Sequence, residues 1–161
     1  MGGRERLENP PETWTVTIAE LDGVRVSIRR NEALEAWPGA SALSVRFTVE
    51  LAPRPDPRVA PHARVQELDA FEGRLVSAIR DQGVPAVIMT DGAWRKITCY
   101  LAPTARAHDI AEEAAAILRH HDHEVHVEHD PEWTLFRQGE FDRPALLGRP
   151  PSAEGATVPA Q

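Results

Sequence analysis

The fold of this chain is decided by residues 43–129, which open with LSVRFTVEL at residues 43–51. Apolar and polar side chains alternate through that stretch, as is typical of a strand with one buried face. A helical pattern, a strand, a tight turn, a strand, a second helical pattern and a last strand follow. This order is a split βαβ repeat, which packs two helices on one face of an antiparallel sheet. We therefore predict an α+β fold with a ferredoxin-like core.

The first half of the repeat has clear local signals. Apolar residues recur at helical spacing over residues 63–82, and Gly83 provides a C-terminal stop. Strands are predicted at residues 84–90 and 94–101, joined by Asp91-Gly92, a dipeptide that favours a hairpin turn. The first of these strands is apolar nearly throughout, which indicates burial.

The second half of the repeat is predicted to be a helix followed by the last strand. Its helix is predicted to begin at Thr104 or Asp109, both of which are good N-cap residues, and to end at His121. The last strand, residues 123–129, alternates inward valines with outward histidines and glutamates. The predicted strand order across the sheet is last, first, third, second.

A further hairpin precedes the repeat. Residues 14–19 and 24–30 are strand candidates joined by Asp22-Gly23, and residues 31–40 are expected to form a connecting loop. We expect this hairpin to extend the sheet or to cover its open face.

The chain is long enough for one domain, since it has 161 residues of which 42% are hydrophobic. We place this domain at residues 13–141. Residues 1–12 are expected to be a flexible N-terminus. Residues 142–161 are rich in proline and alanine and lack periodicity, so we expect a disordered tail.

Charge and composition disfavour several classes of protein. A formal net charge of -7 opposes binding to nucleic acid. No apolar run approaches the ~20 residues that cross a bilayer, so no membrane role is expected. The single cysteine, Cys99, cannot form an internal disulfide, and no apolar signal-like segment precedes the first strand. We expect a cytoplasmic protein.

Histidines are concentrated around the last strand, because five of the seven lie within residues 120–129. Glu124, His126 and Glu128 project from one face of that strand and form the candidate site for zinc or another divalent metal. Their spacing of roughly 7 Å along one strand is wide for ligands of a single ion. The simpler interpretation is a solvated strand face, with no cofactor.

The open face of the predicted sheet is a candidate binding surface. Arg46, Trp94, Lys96 and Tyr100 project from it on neighbouring strands. Aromatic and basic side chains are typical of RNA-binding sheets, but the negative net charge opposes that role. We expect instead a protein partner, a second copy of this chain, or cover by the N-terminal hairpin.

The sequence contains no serine-hydrolase, phosphate-loop, dinucleotide-binding or zinc-protease motif. Our leading hypothesis is therefore a non-catalytic binding or regulatory module that acts through its sheet face or edge on a protein partner or its own copy. The alternative is a metal-binding protein or metal-dependent enzyme that uses the Glu124, His126 and Glu128 face. Whether the chain is an enzyme stays open.

The stretch DPEWTLF at residues 130–136 resembles a segment of the bacterial family catalogued as domain of unknown function 695. That family shows an Asp-Pro-x-Trp-x-x-aromatic segment after its last strand. The resemblance implies a ferredoxin-like fold and bacterial origin, and it implies no particular activity. Within the segment, we expect Asp130 and Pro131 to start a helical turn. Trp133 and Phe136 are then expected to pack at one end of the core.

Overall fold

The computed structural model describes residues 10–21, 23–92 and 94–139. These residues form a mixed α/β protein with a six-stranded antiparallel sheet and three helices, in agreement with the predicted class. The strands are β1 (Trp14–Leu21), β2 (Val24–Asn31), β3 (Val45–Pro53), β4 (Gly83–Asp91), β5 (Trp94–Leu101) and β6 (His121–His129). The helices are α1 (Pro61–Ile79), α2 (Ala107–Ala115) and α3 (Thr134–Gln138). The predicted tail at residues 142–161 and residues 1–9 of the predicted flexible N-terminus lie outside the described residues.

The N-terminal hairpin extends the sheet and does not cover a face. The strand order is β1-β2-β4-β5-β3-β6, and β2 pairs with β4 through Ser27 opposite Thr90 to Arg30 opposite Val87. Glycines with positive φ lie in both tight turns, Gly23 at 82° and Gly92 at 46°. β1 and β6 are therefore the two edges of the described sheet.

Each face of the sheet is covered by its own apolar cluster. On the helical face, α1 and α2 pack against β3 and β5; the largest buried side chains there are Phe47, Leu51, Leu68, Phe71, Leu75 and Ile79. On the second face, cover comes from residues 31–43 and from residues 130–136, which we call the closing segment. The expected connecting loop at residues 31–40 is two 3-10 helices, Glu32–Ala36 and Pro38–Ala42, which bury Leu34 and Ala40.

Both main helices are shorter than the sequence predicts. α1 ends at Ile79 and three turn residues follow it, so Gly83 begins β4 and does not cap the helix. α2 ends at Ala115, and β6 begins at His121, two residues earlier than expected. His121 is already paired with Pro53 of β3 and belongs to the sheet. Within the described residues, no helix has both the length and the apolar character that crossing a membrane requires.

Gly83 lacks a side chain because β5 lies too close for one. A Cβ at this position would collide with the carbonyl oxygen of Tyr100 and the side chain of Leu101. We expect Gly83→Ala to lower the free energy of unfolding by about 1–3 kcal/mol, because a paired strand must move to admit the methyl group. Urea unfolding measures this change.

The matched control is Gly73→Ala, in the middle of α1. Nothing lies within 4 Å of a Cβ built there. Alanine is expected to raise the free energy of unfolding at this position by roughly 0.5–1 kcal/mol, because it is the better helix former. Equal stability of the two variants would contradict the close approach at Gly83.

Candidate functional site

The predicted binding surface is a closed core. Trp94 and Tyr100 are only 1% and 0% exposed, because residues 31–43 and the closing segment lie over them. The indole N–H of Trp94 has no hydrogen-bond acceptor among the described residues, so packing alone holds that ring. Lys96 is half-buried, and Arg46 forms ion pairs within the protein. This corrects the expectation of an open sheet face, because these four side chains are not presented together to a partner.

The closing segment seals the second face through stacked aromatic rings. The Trp133 ring lies on Tyr100 with 4.0 Å between centroids and 7° between planes. The Trp133 Nε1–H donates a hydrogen bond to the Leu43 carbonyl oxygen at 2.8 Å. Phe136 meets Trp133 edge-on, with centroids 5.6 Å apart, and the Arg30 guanidinium lies 3.9 Å from the Phe136 centroid. The motif recognised in the sequence therefore packs against the sheet.

The Asp130 carboxylate accepts three hydrogen bonds, two from the sheet and one from within the closing segment. Its Oδ2 accepts from the Tyr100 hydroxyl at 2.9 Å and from Arg46 Nη1 at 3.2 Å. Its Oδ1 accepts from the Thr134 backbone N–H at 2.8 Å, which positions the start of α3. The carboxylate therefore contacts the sheet and the closing segment at once.

The ionisation of this cluster follows from its contacts. Burial raises the pKa of Asp130, but hydrogen bonds from Thr134 and Tyr100 outweigh burial and leave that pKa below its usual value. Burial, followed by the hydrogen bond to Asp130, raises the pKa of Tyr100. At neutral pH the pair is therefore a carboxylate and a neutral phenol, an arrangement suited to holding structure.

Sequence reasoning missed an ion network around one buried arginine on the helical face. Arg95 is buried and donates to Asp69 at 2.9 Å and to Glu72 at 3.0 Å, both on α1. Arg29 of β2 donates to the same Glu72 at 2.8 Å. The signal was an arginine at an inward position of an alternating strand, since a guanidinium stays charged and needs carboxylates when buried. This network fixes β2 and β5 against α1.

The three predicted metal ligands do not converge. His126 Nε2 lies 3.0 Å from Glu124 Oε1, whereas Glu128 forms an ion pair with Arg46, its neighbour in register on β3. In the part of the chain that the structure describes, no three His, Cys, Asp or Glu side chains are placed to hold a metal ion. The strand spacing and the competing arginine explain this outcome. Of the three predicted ligands, only His126 and Glu124 are in contact with each other.

The most buried histidine has a structural partner. His121 Nδ1 lies 2.8 Å from Glu67 Oε1, which also accepts the backbone N–H of His120 at 2.9 Å. Burial raises the pKa of Glu67, but the hydrogen bonds from His121 and His120 outweigh it and lower that pKa overall. An ionised carboxylate only accepts hydrogen bonds, so Nδ1 of His121 carries the proton. The pair links α1 to the start of β6.

The β1 edge carries the two most exposed large hydrophobic side chains among the described residues. Val16 and Ile18 are 62% and 54% exposed on this strand. Residues 14–19 contain neither charge nor proline. The opposite edge, β6, carries three carboxylates and four histidines and is flanked by the Arg54 and Asp122 ion pair. Natural sheets commonly protect their edges by charge or proline, and residues 14–19 of β1 carry neither.

A groove of about 320 Å³ lies beside the same strand, on the second face of the hairpin. It is lined on β1 by Thr15, Thr17, Ala19 and Leu21 and on β2 by Ile28 and Arg30, and also by Glu32 and Gly139. Its lining combines hydroxyl and apolar groups. The hairpin therefore offers both a free strand edge and a shallow groove next to it.

Together these features define a mixed α/β protein whose sheet is covered on both faces over its central strands and has one edge that is uncharged over residues 14–19. The chain belongs to the Family of unknown function (DUF695), whose family model matches residues 12–139. The match spans every element from β1 to α3, and it confirms the family membership that residues 130–136 indicated. Neither a curated protein nor a solved structure matches the chain.

Replacing Asp130 tests the role of the closing segment. Asp130→Asn keeps the shape but removes the charge, and is expected to lower the free energy of unfolding at pH 7 by about 1.5–3 kcal/mol. The pKa of Asp130 in the folded state lies below the ordinary 3.8, so the carboxylate contributes its full share to the free energy of unfolding above that pH. It is lost as the pH falls through the lowered folded-state value.

Urea unfolding at pH 7, 5 and 3 measures this pH dependence. The difference between the natural chain and Asp130→Asn should be constant from pH 7 to pH 5 and smaller at pH 3. Glu132→Gln is the matched control, because Glu132 is an exposed carboxylate of the same segment and should leave stability unchanged. A difference that does not vary with pH would contradict the assigned role of Asp130.

Proposed function

We propose that this chain is a non-catalytic protein-binding module whose binding surface is the β1 edge. One observation carries the proposal: an eight-residue edge strand exposes Val16 and Ile18 while both faces of the central strands are covered. The binding mode is strand addition, in which an extended partner segment pairs with a free edge. Backbone hydrogen bonds provide affinity, and alternate side chains provide specificity.

The hairpin register indicates which backbone groups of β1 are available. Leu21 lies opposite Val24, and two residues close the turn, so this pair exchanges hydrogen bonds and every second pair does likewise. The Thr13 carbonyl oxygen accepts the Glu32 N–H at 2.9 Å, which continues the same alternation. Odd-numbered residues of β1 thus bond to β2. Trp14, Val16, Ile18 and Glu20 direct their N–H and C=O groups outward.

Contacts of the neighbouring strand β2 and of the entry to β1 hold this edge in place. Arg29 of β2 is bound to Glu72 of α1, and Glu72 is shared with the buried Arg95 of β5. Thr13 and Asn31 tie the entry to β1, because Asn31 Oδ1 accepts the Thr13 N–H at 2.9 Å. A partner strand would therefore meet a preformed edge, which limits the loss of conformational entropy on binding.

We also propose that β3 to β6 with α1 and α2 are a ferredoxin-like core in a cytoplasmic bacterial protein. Support for the core comes from the order β4-β5-β3-β6, which matches the order predicted for the four strands of the repeat. Both helices pack on one face, as such a core requires. The buried, unpaired Cys99 is compatible with a reducing compartment.

Selection from a phage library of random peptides tests the module. Peptides selected on the natural chain are expected to bind Ile18→Lys at least about tenfold more weakly, because a charge on the edge opposes apolar strand pairing. Backbone amide shifts of Val16 and Ile18 on peptide addition locate the site. The peptides should be rich in β-branched residues.

Val65→Lys is the matched control for peptide binding. Val65 is also exposed, at 38%, but lies on α1. Its replacement by lysine should leave peptide binding unchanged. Selected peptides that bind Ile18→Lys as well as the natural chain would overturn the proposed surface.

A further inference from the structure

We propose, resting on the proposed function, that the β1 edge binds a second copy of this chain. The two β1 strands pair antiparallel about a twofold axis that passes through Thr17. The observation behind this inference is that the exposed edge is self-complementary in one register. A twofold contact uses the same patch on both copies, so the patch must match itself when rotated.

The outward backbone groups select the register. Antiparallel pairing across the edge requires outward-facing residues to lie opposite each other, namely Trp14, Val16, Ile18 and Glu20. An axis at Thr17 places Val16 opposite Ile18 of the second copy, and Trp14 opposite Glu20 of the second copy. All four residues then exchange hydrogen bonds, which makes this the longest pairing available to the strand.

The two neighbouring registers place Glu20 less favourably. An axis at Ile18 places Val16 opposite the carboxylate of Glu20. An axis at Val16 places Glu20 opposite Glu12, beyond the end of β1 in the second copy. The Thr17 register moves this only charged residue of β1 to the two ends of the contact. Each copy has a net charge of -7, so an uncharged centre lowers the repulsion that association must overcome.

The side chains also match in this register. Val16 and Ile18 from both copies form two cross-strand pairs of β-branched residues on the helical face, and such pairs stabilise antiparallel sheets. On the second face, Thr17 meets Thr17, and Thr15 meets Ala19. The contact covers the most exposed large apolar side chains among the described residues. The resulting twelve-stranded sheet ends in the charged β6 strand on both sides.

Disulfide formation by Thr17→Cys tests the axis. Thr17 and its symmetry copy form a pair without mutual hydrogen bonds, in which the Cα atoms lie about 4.5 Å apart. That distance is within the range of a disulfide, roughly 4.4–6.8 Å. Mild oxidation of Thr17→Cys at micromolar concentration should therefore yield a cross-linked dimer of twice the 17.8 kDa chain mass.

Thr15→Cys is the matched control for cross-linking. It lies on the same strand and the same face, but its symmetry copy is four residues away along the ladder, roughly 13 Å. We expect it to cross-link at least about tenfold more slowly than Thr17→Cys. The native Cys99 is present in both variants and is buried, and burial raises its thiol pKa, so it contributes little to cross-linking.

Light scattering after size-exclusion chromatography provides a second measurement without cysteine. The natural chain and Val65→Lys are expected to be dimers, and Ile18→Lys a monomer with an unchanged far-UV circular dichroism spectrum. Amide hydrogens of Val16 and Ile18 should also exchange more slowly as the protein concentration rises. A dimer that persists in Ile18→Lys would overturn the inference.

The outcomes separate this inference from the proposed function. Equal cross-linking of Thr17→Cys and Thr15→Cys overturns the twofold axis. A monomeric natural chain that still binds selected peptides at β1 overturns self-association and leaves the binding module standing, with a foreign extended segment as its partner. A monomeric chain that selects no peptide at β1 overturns both.

Discussion

The structure depends on the contact between the closing segment and the sheet. The Trp133 ring lies flat on Tyr100, and the Asp130 carboxylate accepts hydrogen bonds from Tyr100 and Arg46. Without this contact, an antiparallel sheet with helices on one face would expose Tyr100 and the apolar residues around it. Because the segment follows the last strand directly, the chain itself completes its second core. Packing and hydrogen bonding thus account for the aromatic and acidic residues of the closing segment.

Because both faces of the central strands are covered, the edges of the sheet are the parts left to pair with another strand. The two edges differ in charge. β6 carries alternating carboxylates and histidines, which hinder another strand from pairing, whereas β1 is uncharged over residues 14–19. The ion network of Arg29, Glu72 and Arg95 holds the hairpin against α1. An edge strand without protecting charges is therefore held by a well-fixed part of the molecule, a preorganised arrangement that favours the proposed strand addition.

The candidate sites were predicted unevenly, and the reason is physical. Alternation assigns Trp94 and Tyr100 correctly to one face of β5, but alternation carries no information about which distant segment covers that face. Because residues 31–43 and 130–136 cover that face, the predicted binding surface is part of a core. Likewise, Glu124 and His126 do lie in contact, whereas Glu128 is taken by Arg46, a partner that only the strand register reveals.

The sequence by itself determined the strands, the two tight hairpins, the mixed class of the fold and the family, because period-two alternation, glycine turns and residues 130–136 are local signals. Tertiary structure decided the ends of the helices, the place of the hairpin at the edge of β4, the close approach at Gly83 and the network around Arg95. Each of these depends on contacts between residues far apart in the chain. Local periodicity specifies which face a side chain occupies, and only packing specifies what lies against it.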